Sequence, residues 1–353
     1  MAVVEHGDSC WPTTERIMGL GQPLLDVVVG LPMEELEKYE LKPGTYTIAG
    51  EQHASLFDRL LTDFGEAKVV AGGCAMNTMR VAQWVSGQAG FTSFFGSVGK
   101  DEYAKILKRC CAEANVKVEL QVTDLATGVC AVLVNGSERA LCTRLDASKA
   151  SFMDKLDTPE LTTLIDDAGY LYVAAFALVC TDGLAGVEKL FKKARASNTV
   201  IAVNLAAPFV VESCAGDLWK MIEMADIVFG NETEWAALAK SRNSSEDLAS
   251  AAQSVSSLPK SFMYERLAIV TQGPNHTIVA QGGRTRTFPV PVLEQVEDTN
   301  GAGDAFVGGF LTKLAQGKDL QTCVDTAHLA SRKILEQCGC HVPEIPFPNT
   351  SMR

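Results

Sequence analysis

Short, near-continuous apolar runs alternate with stretches of helical periodicity along most of this chain, and that alternation constrains its fold more than any other feature. Runs at residues 16–20, 91–97, 171–176, 200–205, 227–229 and 267–271 have the length and the β-branched and aromatic content of strands. Between them, Leu56, Leu60, Leu61 and Phe64 share one helical face, and Tyr103, Ile106, Leu107 and Cys110 share another. Strands that lack polar alternation are buried on both faces, and the intervening helices are what covers them. The expected fold is therefore α/β: a central, mainly parallel sheet with helices on both faces.

Two stretches break the alternation. Residues 27–29 with 45–49, and residues 129–134 with 140–145, read as antiparallel pieces with no helix between partners. Asn135-Gly136 joins the second pair and is the strongest short hairpin signal in the chain. These pieces are expected to form a small β-rich lid in two instalments, residues 25–73 and 123–145. The large α/β domain then takes residues 17–24, 74–122 and 146–345. The Ser-rich, charged stretch 241–261 reads as a surface helix with loops.

The 353 residues carry a formal net charge of −12, so the mean field of the protein repels phosphate. Nucleic acid and anionic membranes are poor partners for such a surface, and a phosphorylated ligand needs a local site. No run approaches the ~18 apolar residues of a membrane span, and the opening residues have neither the basic start nor the apolar stretch of a secretory leader. The 11 cysteines are scattered and odd in number, a pattern of reduced thiols. A cytoplasmic protein is expected, with nuclear presence left open. Neither Cys110-Cys111 nor Cys338-Gly-Cys340-His341 has a second ligand pair at zinc spacing, so no metal site is expected there.

The most informative segment is DTNGAGDAFVGGF at 298–310. Gly301, Ala302 and Gly303 form a glycine-rich turn that feeds an apolar helix. Such a turn leaves backbone N–H groups unpaired and aimed at one point, with the positive end of the helix dipole behind them. Asp304, in the first helical turn, repels a bound anion. Its placement makes sense if it takes a proton from a hydroxyl while the amides hold the phosphoryl group that the hydroxyl attacks. Two other nucleotide signatures fail. GSVGKD at 96–101 has Phe94 where a P-loop needs its first glycine, and GLGQPL at 19–24 lacks the third glycine of a dinucleotide fingerprint.

The 298–310 segment resembles the carboxyl-terminal signature of the ribokinase-like (PfkB) family of sugar and nucleoside kinases. Four more segments resemble the adenosine kinase branch of that family: GLGQPLLD at 19–26, AGGCAMN at 71–77, NLAAPF at 204–209 and FGNETE at 229–234. The resemblance spans residues 17–340 and implies ATP-dependent phosphorylation of the adenosine 5′-hydroxyl, giving AMP and ADP, with magnesium as cofactor. It implies small-molecule substrates, adenosine and ATP, and a monomer. Under it Asp26 reads the ribose diol, Gly72 and Gly73 let the backbone approach the sugar, and Asn77 adds a directed hydrogen bond. Arg139, beyond the hairpin, resembles the lid arginine that reaches the transferring phosphoryl group. Asn204, Asn231, Thr271, Gln272, Gly273, Asn300 and His328 fall at ATP positions, and Glu234 at a position that holds magnesium through water.

Asn231 also reads as a plain helix cap, and His328 as a structural histidine. For the purine, Phe176 is present, but the second aromatic position of the family is Ala177 here. Tyr46, Cys130 and Phe209 lie in segments that line the base pocket in the family. A kinase of another nucleoside or of a sugar, or an inactive nucleoside-binding protein on the same fold, are the alternatives at this stage.

Overall fold

The computed structural model describes residues 11–64, 67–136, 138–242, 247–260, 264–337 and 339–348. The expected parallel strands assemble into a nine-stranded sheet. From one edge its order is Arg284–Phe288, Thr277–Gln281, Leu267–Thr271, Ile227–Asn231, Val200–Asn204, Tyr170–Ala174, Ile17–Leu20, Thr92–Val98 and Lys117–Val122. Every pairing from Leu267–Thr271 to Lys117–Val122 is parallel, and the first two strands of the order are added antiparallel. One face is covered by Leu161, Val187, Leu190, Phe191 and Met221, the other by Met79, Phe306, Phe310 and Val324. Helices on both faces follow from strands whose side chains are apolar on both sides.

Five further strands, Tyr46–Ile48, Glu138–Arg144, Val129–Asn135, Leu24–Gly30 and Lys68–Gly72, form a second sheet in that order. Val27 and Val29 point to a small core with Leu36, Leu56 and Phe57, from the short helices Met33–Lys38 and Ala54–Arg59. With a side-chain period of two, Asp26 lies on the opposite face of its strand. The expected hairpin is present, Val129–Asn135 running antiparallel to Glu138–Arg144.

The expected partner of residues 45–49 is wrong. Tyr46–Ile48 pairs in parallel with Glu138–Arg144, and helix Met33–Lys38 separates it from Leu24–Gly30. Leu24–Gly30 pairs in parallel with Val129–Asn135 and antiparallel with Lys68–Gly72. A short polar-flanked run carries no local mark of its partner, so the pairing was decided by the buried side chains of the whole sheet. Within 241–261, the described part includes helix Leu248–Ser256, which buries Ala251, Ala252 and Val255 against the large sheet. Lys100-Asp101, from the segment that fails as a P-loop, precedes helix Glu102–Glu113, and the Asp101 carboxylate accepts the Ala104 N–H at 2.9 Å as its cap.

Candidate active site

Helix Ala302–Ala315 opens at Gly301, which has φ +81° and offers no side-chain cap. A Cβ at Gly301 would also stand 2.8 Å from the Cys340 Sγ, so conformation and space both require glycine. Among the described residues, the N–H groups of Gly301, Gly303 and Asp304 have no hydrogen-bond acceptor. The Ala302 N–H makes a long contact of 3.4 Å to the Thr299 carbonyl. Nothing lies within 4 Å of the position a Cβ would take on Gly303. Gly303 is exposed, so open space lies beside the turn that carries the unpaired amides, as an anion hole requires.

Asp304 lies at the edge of that space. Its Oδ2 accepts from the Asn77 Nδ2 at 3.0 Å. Burial pushes the Asp304 carboxyl up to about 7; hydrogen bonds from Asn77 and Cys74 oppose the rise, and the charges of Asp26 and Glu234 add to it. Asn77 is buried on helix Cys74–Ser86, and its Oδ1 has no donor. A buried amide oxygen without a donor is costly unless a ligand supplies one.

Asp26 sits opposite Cys130 across two neighbouring strands of the small sheet. The carboxylate lies over Gly72, where any Cβ would meet its Oδ1 at 2.5 Å. Gly73 has φ +92°, and a Cβ there would collide with the Gln22 carbonyl at 2.2 Å. The pair is glycine because a carboxylate and a main chain occupy the side-chain space. Burial pushes Asp26 up to about 7, Arg80 opposes the rise and Asp298 adds to it. Burial, then the charge of Asp26, pushes the Cys130 thiol up to about 12, so it is a neutral wall of the site.

Phe176 and Phe209 face each other with ring centroids 6.1 Å apart and planes at 45°, and Phe209 is 45% exposed. Ala177 is fully buried in the core, so it presents nothing to a base. Of Tyr46 only the backbone is described; its side chain lies outside the described residues.

The remaining expected residues follow the carboxyl edge of the parallel sheet. Thr271, Asn231, Asn204 and Ala174 end four adjacent strands, and Leu20 ends the fifth. Four strand spacings span about 19 Å, enough for two ligands laid end to end. Asn231 caps helix Glu232–Ser241: its Oδ1 accepts from the Thr233 and Glu234 N–H groups. Glu234 returns both oxygens, Oε2 to the Asn231 N–H and Oε1 to its Nδ2, each at 2.9 Å. Burial pushes Glu234 up to about 7; the Asn231 N–H opposes this and Glu232 adds to it.

Asn204 Oδ1 accepts the Ala206 N–H, and Gln272 Nε2 donates to the His276 carbonyl. Gly273 turns at φ +53° with open space above it, and Asn300 is exposed. His328 is buried between Thr277, 2.8 Å from its Nε2, and the Phe306 ring. Arg139, on strand Glu138–Arg144, forms an ion pair of 2.5 Å with Asp298, whose side chain is 8% exposed. The lid strand is thereby tied to the segment that leads into the anion hole.

A family profile described as pfkB family carbohydrate kinase matches residues 33–346. The chain belongs to that family. Adenosine kinase 2 of Arabidopsis thaliana is 36% identical over 335 residues, covering 94% of this chain and 96% of that protein. The adenosine kinase of Dictyostelium discoideum is 35% identical, covering 93% and 96%. Among solved structures, Anopheles gambiae adenosine kinase in complex with P1,P4-di(adenosine-5) tetraphosphate superposes with a TM-score of 0.83 at 35% identity, covering 93% of this chain and 97% of that one. Schistosoma mansoni adenosine kinase in complex with adenosine, in an occluded loop conformation, gives 0.84 at 28% identity, covering 94% and 98%.

This pfkB-family chain also builds its site from residues that sequence reasoning passed over. Asp298 pairs with Arg139 and accepts the Gly339 N–H at 2.7 Å. Cys74 and Cys340 flank Asp304 and Gly301. Arg80 lies buried behind the Gly-Gly turn, and its signal was available: a cation inside an otherwise apolar helical stretch, three residues beyond Asn77.

Proposed function

We propose that this chain is an adenosine kinase, transferring the γ-phosphoryl group of ATP to the adenosine 5′-hydroxyl to give AMP and ADP. One observation carries the reading. A carboxylate with a pKa near neutrality is bonded by Asn77 on the sugar side and shares the first helical turn with unpaired amides on the phosphate side. Asp26 accepts the ribose 2′ and 3′ hydroxyls, Asn77 Oδ1 accepts a further sugar hydroxyl, and Phe176 with Phe209 takes the base. Asp304 orients the 5′-hydroxyl and takes its proton as the oxygen attacks, while the amides of Gly301 and Gly303 receive the phosphoryl oxygens. Arg139, now on Asp298, reaches the phosphoryl group when the lid, residues 25–73 and 123–145, closes.

ATP lies along the carboxyl edge between Asn204 and Gly273, with His328 and Asn300 flanking it. Among the described residues no three metal-ligating side chains cluster. One buried carboxylate, already bonded to Asn231, fits a magnesium ion that keeps its water shell and is held by Glu234 through water. Bound there, the ion neutralises charge on the nucleotide phosphates. The reading extends to a cytoplasmic monomer. Among the described residues the nine cysteines are all free, and no helix is long and apolar enough to cross a membrane.

The test is coupled ADP release with adenosine, inosine, guanosine, ribose and fructose. Adenosine is expected to exceed ribose in kcat/KM by at least ~10²-fold, since base stacking alone supplies roughly 1–3 kcal/mol. Ribose or fructose turning over as well as adenosine makes the protein a sugar kinase. No turnover of any of them, with adenosine still bound, makes it a binding protein.

A further inference from the structure

Arg80 is 6% exposed, and no carboxylate lies within ion-pair distance of it among the described residues. Its Nη1 donates to two carbonyls at once, Ala71 at 2.8 Å and Cys340 at 3.2 Å. Its Nε is buried without an acceptor. A guanidinium held in this way is expensive to bury, because carbonyl dipoles offset its charge only in part. Its two anchors belong to different halves of the site. Ala71 lies opposite Leu25, one residue from Asp26, and its neighbour Gly72 carries the Asp26 carboxylate. Cys340 backs Gly301, and the adjoining Gly339 N–H is held by Asp298.

We infer that Arg80 is a positioning residue: it clamps the diol-binding strand to the segment behind the anion hole, and its charge keeps Asp26 ready to accept sugar hydroxyls. The inference rests on the reading of Asp26 as the diol acceptor. The groups that face Asp26 are Arg80 from helix Cys74–Ser86, Asp298 from the segment before the anion hole, Asp304 from the following helix, Cys130 from the adjacent strand, and the Cys74 and Cys340 thiols. Arg80 is the one cation among them. Asp298 pushes the Asp26 proton on, Asp304 is itself pushed up by the charge of Asp26, the thiols are neutral, and only Arg80 draws the Asp26 proton off.

The experiment is calorimetric titration of adenosine into the full-length protein from pH 5.5 to 9, with Arg80→Gln, Arg80→Lys and Asp26→Asn beside the unmodified chain. The unmodified chain should lose affinity as pH falls through about 7. Arg80→Gln should move that midpoint to higher pH, and Kd at pH 7 should rise about fivefold for the first whole pH unit that the midpoint moves and about tenfold for each further one, with affinity recovering toward pH 9. Arg80→Lys keeps the charge on a stem one bond shorter, so its ammonium falls short of the Nη1 position between the two carbonyls; its midpoint should stay while KM for ATP rises severalfold.

A Gln variant with a uniformly raised Kd and an unmoved midpoint overturns the inference in favour of packing alone. If that variant does not fold, the Lys variant decides: a displaced midpoint, or an unchanged KM for ATP, overturns it. Adenosine binding that Asp26→Asn leaves intact overturns the diol reading, and this inference with it.

Discussion

Burial has brought the Asp304 carboxyl to about 7, where a general base is about half ionised at neutral pH and holds a proton well. Asp304→Asn keeps the shape and the contact from Asn77 but cannot take a proton. We expect kcat to fall by at least ~10²-fold, with calorimetric Kd values for adenosine and ATP little changed. Retention of more than about a tenth of kcat, with chemistry rate-limiting, would remove Asp304 as the base. Asp26→Ala strands two hydroxyls at about 1–3 kcal/mol each, so adenosine Kd should rise at least ~10-fold. For the same reason 2′,3′-dideoxyadenosine should bind poorly to the unmodified protein, and tight binding of it would refute the diol reading. Asp304 drew notice from its own setting, an acid at an anion hole, whereas Asp26, inside the apolar run 24–29, and Asn77 were picked out through the family resemblance. Asp298 stayed unread, and Arg80 showed only as a cation in an apolar helical stretch, with no sign of its role. Their partners, the Gly339 N–H and the Cys340 carbonyl, lie tens to hundreds of positions away and are main-chain groups that any residue would supply.

At the scale of elements, the start of helix Ala302–Ala315 and the lid strand carrying Arg139 make separable predictions. The space above Gly303 holds no protein atom within 4 Å. Gly303→Val should therefore leave the melting temperature nearly intact while raising KM for ATP at least ~10-fold, because a branched side chain fills the phosphoryl site. Normal ATP kinetics in that variant would move the anion hole elsewhere. Arg139→Lys keeps the charge without the planar fork and should lower kcat more than it raises KM for adenosine, with Arg139→Gln worse. Normal turnover in the Gln variant would leave Arg139 as a structural partner of Asp298. Elements whose signals are local were readable: the Asn135-Gly136 hairpin, the Gly301 turn, the parallel strands. The partner of Tyr46–Ile48 was not, since pairing across some ninety residues of chain is chosen by the assembled sheet.

Taken as a whole, the molecule holds Asp26, Glu234 and Asp304 in a state that opposes its stability once they ionise. The folded pKa of Asp304 lies above that of the unfolded chain, so the stabilising contribution is full at pH below about 4 and is lost as pH rises through about 7. Relative to the unmodified protein, Asp304→Asn should raise the melting temperature at pH 8 and have less effect at pH 5, as scanning calorimetry would register. An equal effect at both pH values would show that the carboxyl is not held near neutrality. The fold class followed from the alternation of runs, and the candidate ATP residues lie beyond the strand ends, where open parallel sheets bind ligands.

The second sheet has a different consequence, for how the chain is made. Its strands come from residues 24–72 and 129–144, and Leu24–Gly30 pairs with both groups. As the chain leaves the ribosome, Leu24–Gly30 has one bare edge until Val129–Asn135 emerges, and Tyr46–Ile48 has none of its pairing until Glu138–Arg144 follows. Throughout that interval the nascent chain displays open strand edges to its neighbours. Variants that weaken the Val129–Arg144 hairpin should therefore be recovered in lower soluble yield, even where the molecules that do mature work normally.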